Sequence, residues 1–220
     1  DGQVGDHTAR FEITHFRIAA GTADLRAGTW NKKAYSKAEG LFGRRMGIIG
    51  VGDIGIATAA RASAFGIDVV AVAKPGRSDL AVARAEAAGI AFVDTLDELL
   101  ASSDIVSLHV PGSADTKGMV DAAFLATMKD GAVLLNTSRG DVVDEAALID
   151  AMDNRGMRAG LDVYANEPGS GTAEFDSTLA KHPSVVGTHH VGASTNQAQA
   201  AVTDGTIDTV QAYRAGEPVN

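Results

Sequence analysis

The chain has 220 residues, 45% hydrophobic and 21% charged, enough for one large globular domain with a buried core. It has no cysteine, which excludes disulfides, thiolate metal sites and cysteine nucleophiles and fits a reducing cytosol. A net charge of -9, with no apolar run of transmembrane length and no basic-then-apolar leader, argues against nucleic-acid binding, membrane association and secretion, so a cytoplasmic protein is expected.

Residues 1–45 differ from the rest of the chain. Residues 5–18 read as a helix with a narrow apolar stripe, because Arg10, Glu12, His15 and Arg17 interrupt Phe11, Ile13, Phe16 and Ile18. A polar connector follows around Trp30–Lys37. From there on, short apolar runs alternate with helical patterns. Strands are expected at 46–49, 68–73, 90–93, 105–109, 132–136, 159–163 and 185–188. Most are continuously apolar, as parallel strands covered on both faces are. Helices are expected at 54–65, 80–88, 96–101, 122–128, 145–154 and 195–215, with Thr95 and Asp144 as N-caps. The alternation implies right-handed crossovers and a doubly wound parallel α/β sheet, the Rossmann fold.

Between the first strand and the helix after it stands Gly50-Val51-Gly52-Asp53-Ile54-Gly55. A G-x-G-x-x-G in that setting predicts a dinucleotide site. Gly50 allows the tight turn, Gly52 the close approach of a pyrophosphate, and Gly55 the packing of helix on strand. The N–H groups opening the helix, at Asp53 and Ile54, then face the phosphates. Asp53 is unusual there, since its carboxylate is expected to compete for those same groups. An NAD site usually has an acid near the end of the second strand. Eighteen residues beyond Gly55 stands Ala73, followed by Lys74-Pro75-Gly76-Arg77-Ser78. Either Lys74 and Arg77 are solvated loop charges, or they bind the 2′-phosphate of NADP. The cofactor is therefore NAD or NADP, with a lean to NADP.

Further segments fall at expected strand ends: His109-Val110-Pro111, 136–140, 161–168 and 189–195. Ligands of open α/β sheets bind outside the carboxyl ends of the strands, so an Arg, a Glu and a His are expected to converge beside a bound nicotinamide. That set suits hydride transfer at a carbon bearing oxygen. Arg grips a carboxylate, His moves the proton and Glu orients the imidazole. His7, His15 and His182 lack partners at ligand spacing, so no metal site is expected.

Residues 41–196 resemble the nucleotide-binding domain of the D-isomer-specific 2-hydroxyacid dehydrogenases, the phosphoglycerate dehydrogenase branch most of all. The resemblance implies an NAD(P)-dependent oxidoreductase acting on a 2-hydroxy or 2-keto acid. By it, Arg139 takes the place of the substrate-binding arginine, Glu167 of the glutamate paired with the catalytic histidine, and His190 of that histidine. Asp162 matches an aspartate that contacts the nicotinamide amide, and Val110, Thr137, Ser138, Gly192 and Ala193 match positions lining the cofactor. Two alternatives stay open: Asp162 as the cap of a turn, and Glu167 as an exposed loop carboxylate. His189 reads as a structural neighbour and His109 as locally bonded. A non-catalytic dinucleotide-binding or corepressor-like module stays open as an alternative. The implied organisation is an interdomain helix and connector at 1–40, the Rossmann domain at 41–200, and the end of the last helix and a tail at 201–220. Most of the family's substrate domain is expected to lie outside this sequence. The family is homodimeric, but Arg10, Glu12 and His15 fall where its interface helix is usually apolar, which leaves dimerisation of this chain open.

Overall fold

The computed structural model describes residues 18–36, 40–169 and 171–217. The helix expected over 5–18 lies outside them except for Ile18. The chain opens with α1 (Ile18–Arg26) and α2 (Lys32–Tyr35), then alternates: β1 (Arg45–Ile49), α3 (Asp53–Ala64), β2 (Asp68–Val72), α4 (Asp79–Ala87), β3 (Ile90–Val93), α5 (Leu96–Ser102) and β4 (Ile105–Leu108). The second half runs α6 (Ala122–Thr127), β5 (Val133–Asn136), α7 (Glu145–Arg155), β6 (Arg158–Leu161), β7 (Val185–Gly187) and α8 (Asn196–Ala215).

The strands form one seven-stranded sheet in the order β3-β2-β1-β4-β5-β6-β7. Every pairing is parallel. Every residue of β4 and β5 is buried, which is what a continuously apolar run at the centre of a covered sheet requires. One apolar cluster joins the sheet to Leu99 and Leu100 of α5, Phe124 and Leu125 of α6, and Leu148 and Met152 of α7. The other joins it to α3 and α4 through Ala59, Ala62 and Ala85. Alanine at these contacts brings the helices close to the strands. Side-chain caps start the helices: Ser78, Thr95, Asp121, Asp144 and Thr195 each accept a backbone N–H from the first turn.

The expected polar connector contains the one-turn helix α2. Asp24 of α1 accepts hydrogen bonds from Tyr35 Oη at 2.9 Å and Asn31 Nδ2 at 3.3 Å, and these bonds pin α2 against α1. Chain order reverses where β1 lies between β2 and β4. That is the topological switch point, and the crevice above it is where an open α/β sheet binds ligands.

Candidate cofactor and active site

The glycine loop crosses this switch point. Gly50 follows β1 with φ of +102°, and a Cβ there would collide with the backbone carbonyl of His109 at the end of β4. Gly55 packs against the carbonyl of Gly50 for the same reason. Gly52 is different: its φ of -95° suits any residue, and a Cβ there would meet no atom within 4 Å. No side chain caps the start of α3 at Gly52. The first turn of α3 thus has no side-chain cap, and the space beside Gly52 is open, which fits a dinucleotide pyrophosphate.

A cavity of about 360 Å³ continues from the loop across the strand ends. Ile54 lines it from the loop and Val110 from the end of β4. Thr137, Ser138 and Arg139 reach it from the end of β5, and Asp162 from the end of β6. His190, Gly192 and Ala193 close it from the segment after β7. The β5 turn is braced by Asn136, whose buried side-chain amide donates to the Arg139 carbonyl at 2.8 Å. Its Oδ1 accepts from Ser138 N at 3.0 Å and Ser138 Oγ at 2.8 Å. A polar residue ending the apolar strand Val133–Asn136 was the sequence signal for this brace.

Asp162 is 1% exposed, and its carboxylate binds the loop after β7. Oδ1 accepts from Thr188 Oγ1 at 2.6 Å and Val191 N at 3.0 Å, and Oδ2 from Gly192 N at 2.8 Å. Its carbonyl also accepts from His190 N at 2.8 Å. The anchored segment lies more than twenty residues along the chain, so the carboxylate of Asp162 ties the end of β6 to a distant loop. Thr188 is a partner that the sequence did not single out.

His190 is the one non-glycine residue with positive φ among the described residues, at 54°. A side chain in that region costs roughly 1 kcal/mol and persists where the surroundings fix it, commonly at functional sites. The bonds of Asp162 fix this one. His190 Nδ1 donates to Glu167 Oε2 at 2.6 Å, and Glu167 Oε1 accepts from Tyr164 N at 2.9 Å. Glu167 is thus a held partner rather than a loose loop carboxylate. With Nδ1 engaged, Nε2 is the ring nitrogen not used in the bond to Glu167. A larger cavity, about 720 Å³, is lined by Tyr164, Glu167, Phe175 and His189 together with His190. Asp162 and His190 border both cavities, whereas His189 borders only the larger one. His109 Nε2 lies 2.9 Å from Ser107 Oγ, a local bond.

The remaining predicted residues are not in the lining of the 360 Å³ cavity. Ala73 N donates to the Val93 carbonyl at 2.8 Å, which carries the sheet past β2. Lys74 is exposed. The turn at Pro75-Gly76 folds Arg77 back so that its guanidinium lies 5.1 Å from the centroid of the Phe92 ring. Arg77 Nη1 is buried with no hydrogen-bond partner. Arg77 is therefore not a freely solvated charge. Ser78 caps α4, accepting from Ala81 N at 3.3 Å. Asp53 does not turn back onto the helix N–H groups: its carboxylate pairs with Arg84 Nη2 of α4 at 2.8 Å. Neither Phe92 nor Arg84 was flagged by the sequence, because both partnerships cross between elements.

A parallel sheet with a glycine-rich turn at its switch point, opening into a cavity at the strand ends, defines a Rossmann-type dinucleotide-binding domain. The family model for D-isomer specific 2-hydroxyacid dehydrogenase, NAD binding domain, matches residues 13–192, and the chain belongs to that family. It is 40% identical over 202 residues to D-3-phosphoglycerate dehydrogenase of Mycobacterium leprae, a match covering 91% of this chain and 36% of that protein. It is 42% identical over 188 residues to hydroxypyruvate reductase of Thermotoga maritima, covering 84% of this chain and 57% of that one. A solved structure from Polaromonas, a putative NAD-binding D-isomer specific 2-hydroxyacid dehydrogenase, superposes with a TM-score of 0.84 at 31% identity, covering 99% of this chain and 66% of that one. The chain thus spans about a third to two thirds of the length of these relatives. Among the described residues, no helix is long and apolar enough to cross a membrane.

Proposed function

We propose that residues 41–200 bind NAD(P) and that, in the whole protein, this site interconverts a D-2-hydroxy acid and its 2-keto acid. A bound nicotinamide would supply the hydride acceptor or donor. Pyrophosphate is held by the N–H groups after Gly52. Thr137, Ser138, Gly192 and Ala193 line the nicotinamide end, and Asp162 fixes the loop that carries two of them. Arg139 grips the substrate carboxylate, as a planar guanidinium does best. His190 Nε2 removes or supplies the hydroxyl proton while Glu167 stabilises the imidazolium and sets the ring. This reading rests above all on the His190–Glu167 pair, a strained histidine whose 2.6 Å bond to a held carboxylate has a catalytic use but no packing use.

Within NAD(P), NADP is the preferred form in this reading. Ala73 offers no carboxylate for a ribose diol, and Arg77, stacked on Phe92, brings a guanidinium to the same strand end. Calorimetric titration with NADPH and NADH, followed by a spectrophotometric screen of 2-keto acids, tests both points. Binding of NADPH ahead of NADH, with any turnover lost in His190→Ala, supports the reading. Absence of binding to either dinucleotide contradicts it.

A further inference from the structure

Asp53 is the first residue of α3, inside the Gly50–Gly55 loop, and its carboxylate lies 2.8 Å from Arg84 Nη2 on α4. We infer that Arg84 is a phosphate-binding residue of the dinucleotide site, occupied by Asp53 when no phosphate is present. The inference rests on the cofactor reading. The two side chains are 87% and 56% exposed, and an ion pair so exposed holds its partners weakly. A 2′-phosphate monoester, or the pyrophosphate taken as a whole, carries more charge and more acceptor oxygens than the carboxylate and matches the guanidinium fork, so it is the stronger partner. Position favours the exchange. The loop that holds Asp53 opens onto the unobstructed space beside Gly52. The helix that holds Arg84 packs on the same side of the sheet as α3 and begins directly after Lys74 and Arg77. Asp53 would thus set the affinity: it lowers it by occupying Arg84 and by facing the phosphates itself.

Two roles for Arg84 separate cleanly. If it only neutralises Asp53, it is dispensable once Asp53 is uncharged. If it takes a phosphate, it is not. The experiment is titration of the 220-residue chain with NADPH and with NADH in wild type, Asp53→Asn, Arg84→Ala and the double variant, with melting temperatures as a folding control. Asp53→Asn should tighten binding, and Arg84→Ala in that background should weaken it roughly three- to tenfold, the size expected of a charge-assisted contact that is partly solvated. Equal loss with both dinucleotides identifies the pyrophosphate as partner, and loss confined to NADPH identifies the 2′-phosphate. No change with either dinucleotide in the Asp53→Asn background overturns the inference. Gly52→Val, run alongside, keeps the two readings distinct. If it abolishes binding while Arg84→Ala is silent in the Asp53→Asn background, the inference alone fails. If it binds like wild type, the cofactor reading fails as well.

Discussion

His190 Nδ1 lies 2.6 Å from Glu167 Oε2, and the backbone on either side of that ring is tied to the end of β6. The histidine is therefore positioned twice, through its ring by a carboxylate and through its backbone by Asp162. Removal of the ring should abolish reduction of 2-keto acids by the active protein, a loss of about 10²- to 10⁴-fold in kcat for a general acid–base. Glu167→Gln should give a smaller loss in kcat. Cofactor affinity should stay within about threefold of wild type in His190→Ala, because the ring is not what holds the phosphates. Equal kcat in wild type and His190→Ala would remove the histidine from the chemistry.

Asp162 carries a structural load that the histidine depends on. Asp162→Ala leaves Val191 N, Gly192 N and Thr188 Oγ1 without their acceptor, which should cost about 1–3 kcal/mol in a urea melt. Amide exchange should rise at Val191 and Gly192 more than in β4 or β5. Uniform protection across the sheet and loop would show that the carboxylate does not anchor the segment.

The alternation of elements was legible in the sequence because buried parallel strands are continuously apolar and the helices between them carry caps. Each expected strand of the sheet is present, with no end shifted by more than two residues. The glycine loop was legible for the same local reason. Long-range polar pairings were not. Asp162 was expected at the nicotinamide, and the sequence does not show that its carboxylate binds a loop beyond Thr188. Asp53 was expected to compete for helix N–H groups, and nothing near it in sequence names Arg84, 31 residues on, as its partner. Likewise Arg77 was read as either solvated or ligand-directed, and its seat on Phe92 depends on how β3 lies beside β2.

Arg77 and Phe92 should set cofactor preference together. Arg77→Ala should weaken NADPH by roughly three- to tenfold and leave NADH nearly unchanged. Phe92→Leu should lose part of the same preference, because the ring holds the guanidinium in place. If NADH binds more tightly in wild type and neither substitution alters the ratio, Arg77 is a packed surface cation only.

Asp104 links β4 to the start of β1 and to α6's end, accepting from Arg45 N at 2.9 Å and Lys129 Nζ at 3.0 Å. Burial pushes its pKa up, but the Arg45 N–H, the Lys129 ammonium and the Arg44 guanidinium outweigh that and hold it below the usual carboxylate value. A depressed folded-state pKa stabilises the fold fully above the unfolded value, about pH 4, and that contribution fades as pH falls through the folded value. Asp104→Asn should cost about 1 kcal/mol at neutral pH, with the gap to wild type closing as pH falls below the unfolded carboxylate value of about 4. A gap that is constant from neutral pH into acid would contradict the ionic role.

The glycine loop gives the most direct measurement of all: calorimetric titration of wild type and Gly52→Val with NADPH and NADH, paired with their melting temperatures. The valine side chain meets no protein atom within 4 Å at its Cβ, yet occupies the space assigned to the pyrophosphate. A dinucleotide site at this loop predicts binding by wild type, its loss in Gly52→Val, and a melting temperature changed by no more than about 3 °C. Undiminished binding in Gly52→Val would contradict it.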